Sequence, residues 1–348
     1  MSFQVTVQPS QHQFPVEAGQ TVLDAALAAG IVLPYSCRNG ACSSCKGKVV
    51  SGQFEAGEYP AQSLSPEELA QGYTLFCQAR PQSDMVVESK EVRLASDIQI
   101  RKLPSRVQEL NFVTTDVAVL QLQLPAADPF RYYAGQYVEI ILKDGKRRSY
   151  SMASAPHAGS PIELHIRHMP GGVFTDHVFG AAATQMKVRE ILRVEGPFGS
   201  FFLREDSDKP IVLLASGTGF APIKAIVEHM AHHNIQRPVA LYWGGRRPGD
   251  LYMDELAKTW ANTLPNFQYI PVVSDSLPED DWAGRTGFVH EAVMQDLPDL
   301  SGYQVYACGA PVMVDAAQRE FTAQCQLPEQ EFYADAFTSQ ADIAASGV

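Results

Sequence analysis

No stretch of this 348-residue sequence approaches the roughly 18 consecutive apolar residues a membrane helix needs, so no span is expected. The opening residues, MSFQVTVQPSQHQF, lack both a basic start and an apolar core. They read as no secretory leader, and the expected compartment is the reducing cytoplasm. Positive charge is also in short supply: 27 Lys and Arg stand against 39 Asp and Glu, a net charge of −12. A nucleic-acid binder wants a basic face, so that class is set aside. The sequence has no internal repeat and no low-complexity tract, and neither G-x-S-x-G nor H-E-x-x-H occurs, which removes support for solenoid and hydrolase readings. Cysteine is scarce at six, and in a reducing compartment such residues are ligands or reactive thiols before they are disulfides.

What is present is unevenly distributed. The length exceeds what one core serves, and at roughly 100 to 200 residues per domain it implies two or three; three is the reading adopted. Residues 1–93 carry 6 Lys and Arg against 9 Asp and Glu, residues 101–204 carry 13 against 9, and residues 205–348 carry 8 against 20. A basic middle third suits a module that holds an anionic cofactor.

The cysteines are the sharpest signal. Cys37, Cys42 and Cys45 stand in C-x4-C-x2-C, with a fourth, Cys77, alone in TLFCQAR. That spacing is how plant-type ferredoxins hold a 2Fe-2S cluster, whereas zinc sites favour C-x2-C pairs on both sides. Gly40 and Ala41 let the loop turn closely, and the small Ser43 and Ser44 leave backbone N–H groups free for the sulfurs. Around the loop, FQVTV alternates as a strand, Thr21 caps a helix closed by Gly30, and MVVES reads as a last strand near residue 89. This order resembles the β-grasp ferredoxin fold over residues 1–93.

A polar linker at about 94–102 leads to short alternating runs separated by Pro and Gly, the pattern of an antiparallel barrel. Within it, Arg148-Ser149-Tyr150-Ser151 resembles the R-x-Y-S flavin signature of the ferredoxin–NADP reductase superfamily. The residue types fit the chemistry: a guanidinium for the pyrophosphate, an aromatic ring against the isoalloxazine, and the Ser151 hydroxyl near the reactive N5. Arg147, one place early, is expected to face solvent. Gly172-Val173-Phe174-Thr175 resembles the second element of that family, where amides and a hydroxyl meet the pyrophosphate at a helix start. The resemblance further implies that backbone groups of His165, Ile166 and Arg167 line the flavin. Members carrying FMN tend to place the ferredoxin last; here it comes first, which favours FAD.

From Pro210 the texture becomes strand, Gly-rich turn, helix, strand, which implies a parallel sheet with a nucleotide at its carboxyl edge. Gly217, Thr218, Gly219 and Pro222 fit the superfamily's G-x-G-x-x-P, and Cys308-Gly309-Ala310-Pro311-Val312-Met313 resembles its C-G-x-P-x-M. In that family Cys308 sits where nicotinamide meets flavin, so Ser151 and Cys308 are the candidate catalytic residues. Arg246, Arg247 and Asp250 follow the next strand, where a carboxylate holds a ribose 2′-hydroxyl and arginine accepts a 2′-phosphate. The resemblance favours NADH, and NADPH stays open. Phe337 resembles the terminal aromatic that covers the flavin in relatives. Cys325 reads as an inert helix residue, and His229, His232 and His233 as solvated helix histidines without a carboxylate partner.

The expectation is therefore a multidomain α+β and α/β chain. It comprises a β-grasp ferredoxin (1–93), an antiparallel β-barrel FAD domain (102–204) and a parallel-sheet, Rossmann-like NAD(P) domain (208–338). The resemblance implies an NAD(P)H-dependent reductase that passes electrons through FAD and the cluster to a partner protein, either a deoxysugar dehydratase or an oxygenase component. An NAD(P)H:flavin reductase or diaphorase is the alternative within the class, and a zinc-stabilised binding protein the alternative outside it.

Overall fold

The structure is a computed structural model and describes residues 2–94, 98–126 and 129–337. The chain forms two compact units. The first comprises Met1–Ile98 with Gly199–Phe201 and the chain from Ala334 on; the second comprises Gln99–Phe198 and Phe202–Tyr333.

In the first unit, β1 (Ser2–Gln8) and β2 (His12–Glu17) form an antiparallel hairpin in which Val5 pairs with Phe14. Val5, Val7, Phe14 and Val16 are fully buried, as the alternation of FQVTV requires. The Thr21 hydroxyl accepts from Asp24 N–H at 3.1 Å and so starts α1 (Val22–Ala28). The helix stops two residues before Gly30, which takes a left-handed φ of 73° and turns the chain. After the cysteine loop come β3 (Lys46–Ser51), α2 (Pro66–Ala70), β4 (Tyr73–Leu75) and β5 (Met85–Glu88). The sheet order is β2-β1-β5-β3-β4, with β1 and β5 parallel and β3 antiparallel to both its neighbours.

The second unit opens with β6 (Arg101–Phe112), which begins inside the stretch the sequence suggests as linker, then β7 (Val117–Gln123), β8 (Tyr137–Ile141), β9 (Arg147–Ser151), β10 (Ile162–Arg167), α3 (Val173–Phe179) and β11 (Ile191–Phe198). Their order is β9-β8-β11-β6-β7-β10. A bridge between Met152 and Leu164, with Ala153 N–H donating to Glu163 O at 2.7 Å, joins the two ends of this sheet into a barrel. Inward positions of five strands fill it: Val107, Leu120, Val138, Ile140, Leu164 and Val194 are all fully buried, and Tyr150 of β9 packs against them.

The remainder alternates strand and helix: β12 (Ile211–Ser216), a 3-10 turn at Gly217–Gly219, α4 (Phe220–His232), β13 (Val239–Gly245), α5 (Asp254–Thr263), β14 (Phe267–Val273), β15 (Arg285–Thr286), α6 (Val289–Asp296), β16 (Gln304–Gly309) and α7 (Pro311–Gln324). A final strand, β17, covers Phe332–Ala336. The strands β15-β14-β13-β12-β16 are parallel neighbours. Strand order reverses between β12 and β16, and ligands of open α/β sheets bind outside the carboxyl ends of strands at such a switch point.

Candidate functional site

The four expected cluster ligands lie in the first unit. Gly40 has a φ of +86°, and a Cβ there would sit 3.0 Å from the Tyr59 Cβ, so the loop passes too close for a larger residue. Cys37 N–H donates to Cys42 Sγ at 3.4 Å. The thiols lie in two neighbouring pairs, Cys37 with Cys42 and Cys45 with Cys77. The bond from Cys37 holds the Cys42 thiol down at about 6, and the bond to Cys77 pushes Cys45 up. Among the described residues no three ligating side chains converge as a single ion would need. Two pairs of thiols are the donor set for two irons with two thiolates each, so the residues fit the cluster. Ser36, just before Cys37, donates to the Asp335 carboxylate, and both are buried; the partners are 299 residues apart and no local signal predicts the bond.

On β9, alternation puts Arg148 and Tyr150 on one face and Arg147 and Ser149 on the other. The Tyr150 ring lies 5.4 Å from that of Phe174, on the second turn element, so the two flavin motifs meet. Burial pushes the Tyr150 phenol up, which keeps it neutral. Ser151 is buried at the end of the strand. Gly172 caps α3, which begins at Val173. The Thr175 hydroxyl is used inside the loop: it donates to Met169 O at 2.9 Å and accepts from Met169 N–H at 3.2 Å. Arg147 is not simply solvated, since Glu139 at 2.6 Å and Glu195 at 2.5 Å clamp it across the sheet. Phe337 is half-buried just after β17.

The two loops at the switch point touch backbone to backbone. A Cβ at Gly219 would lie 2.1 Å from Cys308 O, and one at Gly309 would lie 2.3 Å from Ser216 Oγ. Ser216 Oγ also accepts from Ala310 N–H at 2.9 Å, and Trp243 Nε1–H donates to Gly217 O at 3.1 Å. Cys308 is fully buried, and Pro222 lies in the first turn of α4. The Arg167 guanidinium comes within 3.6 Å of where a Gly217 Cβ would be, and its Nε and Nη2 atoms have no hydrogen-bond partner among the described residues. Its carboxylate neighbours, Asp116 at 3.5 Å and Asp250 at 3.7 Å, are loose. A half-buried cation beside a glycine turn that opens a helix fits an anionic pyrophosphate. Gly219→Ala is expected to force the two loops apart and weaken NAD+ binding by at least about tenfold, read by calorimetric titration.

Sequence reasoning assigned His165 by its backbone and missed its side chain. The imidazole is buried, with Nε2 2.9 Å from Glu163 Oε1 and Nδ1 2.7 Å from the Tyr252 hydroxyl. A carboxylate only accepts, so the proton sits on Nε2 and Tyr252 O–H donates to Nδ1. Lys224 of α4 closes the chain: its Nζ is 3.2 Å from Glu163 Oε1, 2.8 Å from Glu228 Oε1, and donates to Ala153 O at 3.3 Å. Burial alone would push the Glu163 carboxyl up; the bond from His165 and the Lys224 charge outweigh it and hold the group at about 2. Burial lowers His165, which stays neutral. The network ties barrel strand β10 to the helix and turn that follow β12 and β13. The helix histidines also differ from expectation: His229 bonds the Glu205 carboxylate at 2.9 Å, and His232 stacks on His157 with ring centres 3.8 Å apart.

A ferredoxin-type cysteine loop, a flavin-type barrel and a dinucleotide cleft together define an iron–sulfur flavoprotein reductase. Sequence comparison agrees: the 2Fe-2S iron-sulfur cluster binding domain matches residues 5–82, the oxidoreductase FAD-binding domain 104–203 and the oxidoreductase NAD-binding domain 213–319. The chain is 42% identical to CDP-6-deoxy-L-threo-D-glycero-4-hexulose-3-dehydrase reductase of Yersinia pseudotuberculosis over 97% of its own length and 99% of the relative's. It is 36% identical to terephthalate 1,2-dioxygenase reductase component 1 of Comamonas over 97% and 98%. A solved cytochrome P450 reductase of Amycolatopsis superposes with a TM-score of 0.77 at 35% identity, covering 97% and 99% of the two chains. The chain belongs to the ferredoxin–NADP reductase superfamily, in the branch with an N-terminal 2Fe-2S module. It is an NAD(P)H-dependent oxidoreductase that passes electrons through FAD and a 2Fe-2S cluster to a partner enzyme.

Proposed function

We propose that the electron acceptor is a dehydratase acting on a nucleotide-linked deoxyhexulose. The observation that carries this reading is the 42% identity, over nearly the full length of both chains, to a reductase of that kind. An oxygenase component is the second reading, supported by the 36% identity to the terephthalate dioxygenase reductase. The test is stopped-flow reoxidation of the NADH-reduced chain, without oxygen, by each purified acceptor. Rapid reoxidation by the dehydratase alone supports the first reading; reoxidation by an oxygenase component alone overturns it. Activity toward free flavin that persists without residues 1–93, with no protein acceptor reduced by the intact chain, favours the flavin-reductase alternative. Four of the six cysteines serve as cluster ligands, which suits a reducing compartment, and the acidic charge balance argues against a nucleic-acid partner.

The site roles follow from residue chemistry. When bound, flavin supplies the conversion of a hydride into single electrons, and the cluster supplies a one-electron outlet. Arg148 offers the guanidinium fork that a diphosphate accepts, beside Tyr150, and Ser151 places a short hydroxyl at the end of the same strand. Backbone of His165, Ile166 and Arg167, with Gly172, Val173 and Thr175, completes the flavin side, and the family resemblance assigns Phe337 as its terminal aromatic. Gly217, Thr218, Gly219 and Pro222 admit the dinucleotide, while Cys308 and Gly309 orient the nicotinamide end. Cys37, Cys42, Cys45 and Cys77 hold the cluster. Arg148→Ala is expected to lose FAD on dilution, with its dissociation constant raised about tenfold or more. Unchanged retention on a desalting column rules out the assigned contact.

A further inference from the structure

Beyond β13 stand two adjacent guanidiniums, Arg246 and Arg247, where an α/β dinucleotide fold reads the ribose 2′ position. The structure treats them differently. Arg247 donates from Nε to Asp280 Oδ2 at 2.7 Å and from Nη2 to Asp280 Oδ1 at 2.6 Å, a bidentate pair. Glu279 lies 4.0 Å from the same guanidinium, and Asp275 adds a third negative charge facing it. The Arg246 side chain is exposed and without a side-chain partner among the described residues; its carbonyl accepts from Asp275 N–H at 2.9 Å, which seats that carboxylate's residue alongside. Asp250, in the same turn, uses Oδ2 to accept from the N–H groups of Arg246 at 2.8 Å and Arg247 at 3.0 Å.

Two guanidiniums are thus outnumbered by four carboxylates, Asp250, Asp275, Glu279 and Asp280. A 2′-phosphate brings about 1.5 to 2 negative charges. To recruit the Arg247 fork it must displace Asp280 from a bidentate pair, and Arg246 alone meets it freely. A ribose 2′-hydroxyl faces neither cost. The geometry points to Asp280 as the residue that sets NADH over NADPH, by occupying the guanidinium that a 2′-phosphate needs. This rests on the reading of the β12–β16 cleft as the nicotinamide site and adds to it the device that discriminates between the two coenzymes.

Asp280→Asn tests it directly. Asparagine keeps an acceptor for Leu277 N–H, which Asp280 Oδ2 now receives at 2.8 Å, so the 277–280 turn stays capped. Calorimetric titration of the holoprotein with NAD+ and NADP+ is the primary readout, and kcat/KM with NADH and NADPH the second. Wild type is expected to bind NAD+ at least about tenfold tighter than NADP+. Asp280→Asn should raise NADP+ affinity and kcat/KM for NADPH about tenfold, with NAD+ affinity within about twofold. Adding Arg247→Ala to Asp280→Asn should cancel the gain. Unchanged NADP+ affinity in Asp280→Asn, or a gain that survives Arg247→Ala, overturns the assignment while leaving the cleft intact. A wild type that binds neither nucleotide overturns the cleft reading and the proposal with it.

Discussion

Cys42→Ser should leave NADH-driven ferricyanide reduction within about twofold of wild type while delivery to a one-electron protein acceptor falls by about a hundredfold or more. The reasoning starts at the sulfur. Cys42 is the thiol whose ionisation the loop favours most clearly, held at about 6 by the hydrogen bond from Cys37. A serine hydroxyl does not ionise in this range and is a hard oxygen donor where iron–sulfur chemistry wants a soft thiolate. Iron and sulfide content and the visible spectrum report the loss, and flavin absorbance should be unaffected. Ferricyanide is small enough to take electrons at the flavin, so its reduction isolates the carriers upstream. If delivery to the protein acceptor continued at full rate in a variant shown to lack the cluster, the order of carriers would be wrong.

The second large effect is structural. Glu163→Ala should lower the unfolding free energy by about 2 to 3 kcal/mol, because it removes one of the two carboxylates that pair with Lys224, leaving Glu228 as the other, and strips His165 of its acceptor. Replacing Glu163 with Gln and Lys224 with Met together should recover much of that loss, since no isolated charge then remains. The acid limb gives an independent signature. The folded-state value of Glu163 lies near 2 against an ordinary 4.5, a depressed carboxyl. Its contribution is therefore fully present above pH 4.5 and lost as the pH falls toward 2, on the order of 3 kcal/mol across that window. Urea midpoints followed by tryptophan fluorescence should show a shallower acid limb in the double variant. Parallel limbs in wild type and variant would remove the network from the stability of the joint.

Features confined to one loop or one strand were legible. C-x4-C-x2-C, R-x-Y-S and G-x-G-x-x-P are short because each sets its residues on one loop or one strand, and the hydrophobic alternation of FQVTV needed only its own residues. What the sequence hid was pairing across distance. His165 and Tyr252 are 87 positions apart, and Arg247 and Asp280 are 33 apart; nothing local marks either partner. The Arg147 clamp escaped for the same reason, because Glu195 lies on β11, brought beside β8 by sheet order rather than by chain order. Thr175 illustrates the converse: its position in the motif is plain, but the hydroxyl turns inward to brace Met169, a use its residue type permits and its spacing does not reveal.

The Lys224–Glu163–His165–Tyr252 chain also bears on how such reductases can be recombined. The covalent boundary near residue 208 suggests a cassette that could be exchanged for another nicotinamide module. The energetic boundary runs elsewhere, since half of this quartet belongs to the barrel and half to the parallel sheet. A graft cut at the linker would leave Glu163 and His165 without their partners while Lys224 kept only Glu228, unless its donor carried the matching half, so successful chimeras should be those that move, or erase, all four residues together.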